Sequence, residues 1–149
     1  MAAEEAPVTR VDFYILPDAD EQRRQIYLCR IADKASRLGH RIWIHAPADQ
    51  QAAALDERLW TFSQESFVAH DRSGGETALA APVVIGDGEE PDSDRALLIN
   101  EDEEIPAFAD RFARIAEIIN QDDATRRRGR AHYAYYRDRG FELHYHRIE

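Results

Sequence analysis

One cysteine, Cys29, occurs in the chain, so an internal disulfide and a cysteine-rich zinc module are both excluded. The role left for it is a small apolar side chain on a helix. No apolar run approaches the span of a bilayer, and Met1, Ala2, Ala3, Glu4 and Glu5 supply neither the basic cap nor the apolar stretch of a signal peptide. A cytoplasmic protein without a membrane partner is therefore expected. Glycine is sparse where a nucleotide would need it. The first loop after a predicted strand, Leu16-Pro17-Asp18-Ala19-Asp20-Glu21, carries three acids that repel phosphate, and no Gly-Lys-Ser/Thr triplet occurs. No nucleotide or other cofactor is expected.

What is present suits one globular domain. The 149 residues are 44% hydrophobic and 32% charged, enough to bury a core without staples. The net charge of −10 repels nucleic acid unless basic residues are gathered locally. They are gathered over 126–139, where Arg126, Arg127, Arg128, Arg130, Arg137 and Arg139 face one acid, Asp138.

Hydrophobic periodicity gives the elements. After a flexible tail over 1–10, VDFYIL at 11–16 is a buried strand stopped by Pro17. Asp18 or Asp20 caps a helix whose apolar repeat runs Ile26, Tyr27, Arg30, Ile31, Lys34, Ala35, Leu38, with Gly39 at the C-cap. RIWIHA at 41–46 is the second strand, and 50–60 a helix with Ala52, Leu55, Leu59 and Trp60 on one face. Further strands are expected at 82–86 and 96–100, separated by acidic turns. Phe108, Phe112, Ile115, Ile118 and Ile119 predict a helix, and Asp122 or Asp123 caps a basic helix reaching Arg139. Residues 141–147 alternate as a terminal edge strand. The rhythm is that of an α/β fold over 11–149, one domain of three layers with a mainly parallel sheet.

Chemistry-bearing groups are few. Asp18-x-Asp20 suits a hard cation only if further ligands join it, and helix capping is the simpler role. His144 and His146 share a strand face and otherwise stand in solvent. No histidine lies by a candidate nucleophile, so no catalytic residue and no metal ligand is assigned. On the basic helix, Arg126, Arg130, Tyr133 and Arg137 follow steps of 4, 3 and 4 along one face, with Ile119 near its start. Guanidinium forks beside an aromatic ring suit a ligand with carboxylates or phosphates next to an apolar group; a solvated face is the plainer alternative. Trp60, Phe62, Phe67 and His70 form a second cluster, read either as core or as the anchor of a protein interface.

Five segments in order, VDFYIL, LDERLWTFSQESFVAHD (55–71), APVVIG (81–86), PAFADRF (106–112) and RGRAHYAYYRDRGFEL (128–143), resemble the chi subunit of bacterial DNA polymerase III holoenzyme. The resemblance implies a noncatalytic clamp-loader accessory protein with a Rossmann-like fold that lacks phosphate motifs. It implies two partners. One is the C-terminal tail of single-stranded DNA-binding protein, aspartates followed by Pro-Phe with a free carboxylate. The other is the psi subunit or a repair helicase. Carried over by position, the tail site comprises Ile119, Arg126, Arg130 and Tyr133, to which the helical spacing adds Arg137; a basic position of the family is Ala134 here, for which Arg127 or Arg128 stands in. Trp60, Phe67 and His70, with Ser66 and Val68 around them, match the second partner's face, and Ala69 replaces a frequent proline. The rival readings are a direct single-stranded DNA-binding module built on the arginine-rich helix, which the net charge opposes, and an orphan nucleotide hydrolase. Strong binding to naked nucleic acid is not expected.

Overall fold

The structure, a computed structural model, describes residues 8–149 apart from 66, 79, 92 and 93. Most of the expected tail, together with Ser66 and Asp92, thus lies outside the described residues. Val8 is exposed, Thr9 is anchored by its hydroxyl to the Phe112 carbonyl at 2.8 Å, and Arg10 already opens a strand.

Among the described residues seven strands form one parallel sheet: β1 (Arg10–Ile15), β2 (Ile42–His45), β3 (His70–Arg72), β4 (Val83–Gly86), β5 (Leu97–Asn100), β6 (Arg114–Ile119) and β7 (Glu142–Arg147), in the order β3-β4-β2-β5-β6-β1-β7. Helices α1 (Glu21–Arg37) and α2 (Asp49–Thr61) cover one face and α3 (Asp123–Asp138) the other, giving the three layers. Between α1/α2 and the sheet lie Leu28, Leu55, Leu59, Ile42, Ile44 and Ile85; on the α3 face lie Phe13, Trp43, Leu98, Phe112, Ile115 and Tyr136. No helix among the described residues is long and apolar enough to cross a membrane.

Local chemistry starts and stops α1 as its sequence dictates. The Asp20 carboxylate accepts from the Gln22 and Arg23 amides at 2.9 and 3.2 Å, and Gly39 follows the helix at φ 88°, a conformation that costs glycine little. Its buried face differs from the expected stripe. Arg24, Gln25, Leu28, Cys29, Ala32 and Asp33 point inward, while Tyr27, Ile31 and Ala35 only flank the core and Leu38 is exposed. The cause is a buried ion pair: the Arg24 guanidinium donates to both Glu101 oxygens at 2.6 and 2.7 Å and to the Ile118 carbonyl. A satisfied charge can occupy a core position that apolar counting assigns elsewhere.

The expected helix through 108–119 is also corrected. A short 3-10 turn, Ala109–Arg111, precedes β6, which lies between β5 and β1. Interior parallel strands are buried on both faces, so RIAEII carries no alternation and its β-branched run imitates a helical stripe. The short edge strand β3 was not anticipated.

Candidate functional site

The Asp122 carboxylate caps α3 by accepting from the Thr125 amide at 3.2 Å. One turn later Gly129 lets the helix settle on β6: a Cβ there would stand 2.9 Å from Ile119 Cδ1. This contact brings together residues far apart in sequence. A cavity of about 600 Å³ opens beside the helix, floored by Phe13, Ile15 and Ile119 and rimmed by Arg126, Arg130 and Tyr133. The Tyr133 ring packs against Phe13 with centroids 5.5 Å apart.

The six arginines of this region have different surroundings. Arg126 and Arg130 are exposed at the cavity, and neither has a carboxylate partner among the described residues. Arg137 is not among the residues that line the cavity, and its exposed side chain pairs with the adjacent Asp138 at 3.2 Å. Arg127 reaches back to the Asp123 carbonyl, and Arg128 is tucked toward Glu103, 3.9 Å away, so neither stands in at the cavity for the missing cation at Ala134. Arg139 lies over the Tyr135 ring at 3.5 Å.

Behind this surface a buried polar network fixes α3. The Glu117 carboxylate, fully buried at the middle of β6, accepts from Tyr136 at 2.7 Å and from Asn100 at 3.1 Å, and meets His132 Nδ1 at 3.0 Å. His132 Nε2 faces the Glu103 carbonyl at 2.6 Å, so both ring nitrogens meet acceptors. Burial alone would make His132 harder to protonate, but hydrogen bonding to Glu117, its charge and the Glu103 carbonyl prevail and raise its pKa. Burial and the Glu117 charge likewise raise the Tyr136 phenol.

On the opposite face, α2 buries Ala52, Leu55 and Leu59 and leaves the next residue, Trp60, 55% exposed. Phe67 is 72% exposed, with its ring 5.6 Å from that of Trp60. These two side chains are surface and not core. His70 differs: it is buried beneath Trp60, ring centroids 4.6 Å apart, with Nδ1 2.7 Å from the Val68 carbonyl and Nε2 3.0 Å from the Asp56 carboxylate. It supports the patch from below.

The remaining candidates have structural partners. Asp20 caps α1, and Asp18 accepts from the Asp20 amide and Arg23. His144 contacts Glu142 and His146 contacts Asp12, and no cluster of three potential metal ligands occurs among the described residues. Cys29 is buried, which pushes its thiol up to about 12, far from the range of a reactive thiolate.

Sequence reasoning missed Phe13 and Ile15 in the cavity floor and Tyr145 and Arg147, which line it from β7. The alternating apolar set Val11, Phe13, Ile15 was a usable signal for one face of β1, but its meaning depended on β1 lying between β6 and β7.

Residues 8–144 match the family described as DNA polymerase III chi subunit, HolC. The chain is 41% identical over 141 residues to DNA polymerase III subunit chi of Pseudomonas aeruginosa, covering 95% of this chain and 98% of that one. It is 33% identical to the subunits of the same name from Haemophilus influenzae (88% and 92% covered) and Escherichia coli (78% and 80%). In fold it is similar to T4 UvsW (TM-score 0.67, 8% identity, 94% of this chain and 41% of that chain). It is also similar to the C-terminal domain of the DEAD-box protein Dbp5 (0.61, 12%, 95% and 91%). At such identities these likenesses describe the sheet alone, whereas the sequence matches settle the lineage: the chain belongs to the DNA polymerase III chi subunit family, accessory subunits of the polymerase in DNA replication.

Proposed function

We propose that the chain is a noncatalytic adaptor. It holds the acidic C-terminal tail of single-stranded DNA-binding protein in the cavity beside α3 and a second partner, the psi subunit or a repair helicase, on the Trp60–Phe67 patch. The observation that carries the reading is two guanidiniums, Arg126 and Arg130, without carboxylate partners among the described residues, at the rim of a cavity with an apolar floor in a chain of net charge −10. Their forks suit the tail's aspartates and terminal carboxylate, and the floor of Phe13, Ile15 and Ile119 suits its last phenylalanine. Two exposed aromatics in contact are the usual composition of a protein-binding anchor. Engaging both partners tethers the replicase to protein-coated single strands by raising local concentration. A direct grip on single-stranded DNA is disfavoured by the chain's net charge of −10, which repels a phosphate backbone.

Calorimetry with the tail peptide, the same peptide lacking its terminal phenylalanine, and a naked oligonucleotide tests this at two salt concentrations. The full peptide should bind, with affinity falling as salt rises. The truncated peptide should lose nearly all affinity. Equal binding of both peptides, or a steeply salt-dependent grip on the oligonucleotide alone, overturns the reading.

A further inference from the structure

We propose that the edge strand β7 is the second wall of this site, Arg147 supplying a third cation and Tyr145 a second aromatic face to an acidic peptide ending in an aromatic residue. The inference rests on the tail reading and extends it to residues on a different element from the basic helix. Register makes the placement. Ile15 is the direct neighbour of Ile119 on β6 and of Arg147 on β7, and Phe13 is the neighbour of Glu117 and of Tyr145. Two rows of side chains therefore cross the three strands on the α3 face. At about 4.8 Å per strand, Arg147 stands roughly 10 Å across the floor from Ile119, within reach of a long guanidinium.

The side chains themselves point to a ligand. Tyr145 is 56% exposed although its row-mate Phe13 is buried, and it lines the same cavity as Tyr133. A phenyl ring on the floor thus has two tyrosine rings in the lining around it. Arg147 is exposed and has no carboxylate partner among the described residues, while its strand neighbours His144 and His146 are held by Glu142 and Asp12. The expected substitutes for the cation missing at Ala134 are turned away, as described above, so Arg147 is the further cation that the cavity offers. Glu149 is the one acid among the described lining residues and offsets part of this charge. A peptide with several aspartates then spans the cavity from Arg126 and Arg130 on the helix to Arg147 on the strand.

The test titrates the tail peptide, full and lacking its phenylalanine, into the whole chain and into Arg126→Gln, Arg147→Gln and Tyr145→Ala, with melting curves to confirm folding. Arg147→Gln should weaken the full peptide roughly tenfold and flatten its salt dependence. Tyr145→Ala should weaken the full peptide about fivefold and leave any residual binding of the truncated one unchanged. If Arg126→Gln weakens the peptide while both β7 variants bind like wild type, the second wall is overturned and the tail reading stands. Absence of binding by the wild type overturns both.

Discussion

The two surfaces differ in how they are built. The Trp60–Phe67 patch is local: α2 and the segment after it provide both rings, seven residues apart, and buried His70 lies against Trp60. The cavity beside α3 is non-local, its lining drawn from β1, β6, α3 and β7. A local patch can be recognised as a motif, whereas a cavity assembled across a sheet depends on strand order and on whatever holds the strands and helix together. The first predicts sensitivity to single contact residues only; the second predicts sensitivity to contacts and to distant supports.

The largest effect expected is at the cavity rim. Arg130→Glu should weaken the tail peptide roughly 100-fold by placing an acid against its aspartates. The melting temperature and capture of the second partner should stay unchanged; calorimetry beside a pull-down checks both, and a parallel loss of the two partners would merge surfaces held here to be separate. Phe67→Ala should do the converse. Truncating an exposed interface anchor costs about 2 kcal/mol or more of partner affinity, yet with the ring 72% exposed the fold should change by no more than about 0.5 kcal/mol.

Acid and base should separate the surfaces too. Burial would raise the pKa of Asp12, but hydrogen bonds from Arg10, His146 and Arg114 prevail and lower it from 3.8 to about 2. Such a depressed carboxylate contributes stability above about pH 4 that is lost as pH falls through 2, on the order of 2 kcal/mol. The four residues join β1, β6 and β7, so amide exchange on β7 should accelerate in acid before exchange on α2 does. His132 acts in the opposite direction. With its folded pKa raised above 6.5, its contribution is whole below that pH and fades as pH climbs through the raised value. His132→Gln should remove this alkaline loss, read as a flatter plot of melting temperature against pH, while leaving the Trp60–Phe67 patch intact.

The smallest effect concerns Gly129. Alanine would improve helix propensity by about 1 kcal/mol, but its Cβ would displace the Ile119 side chain, so net stability should move by less than about 1 kcal/mol. Because Ile119 floors the cavity, peptide affinity should still fall several-fold by titration.

How much was legible follows the same division. Caps, stops and periodicities within one element read correctly: Asp20 and Asp122, the turn at Gly39, and the buried positions 52, 55 and 59 of α2. Three of the helix residues proposed for the tail site, Arg126, Arg130 and Tyr133, do share a cavity, because spacing along one helix fixes its faces. Arg137 obeys the same spacing but lies a turn beyond the cavity's end, which spacing cannot disclose. The buried face of α1 was misread because its partner, Glu101, is 77 residues from Arg24. β6 was misread because a strand buried on both faces loses its period. Phe13, Ile15, Tyr145 and Arg147 needed the sheet order, which no local pattern encodes.

Strands β3 and β7 are the outermost of the seven, and six spacings of about 4.8 Å hold those edges roughly 29 Å apart. The aromatic patch lies toward one edge on the α2 face, the cavity toward the other on the α3 face. In the proposed adaptor the sheet would thus be a strut of set length between two separate binding sites. Occupancy of one end should leave the intrinsic affinity of the other unchanged, while any tether joining the two ligands would see an effective concentration fixed by the width of the sheet.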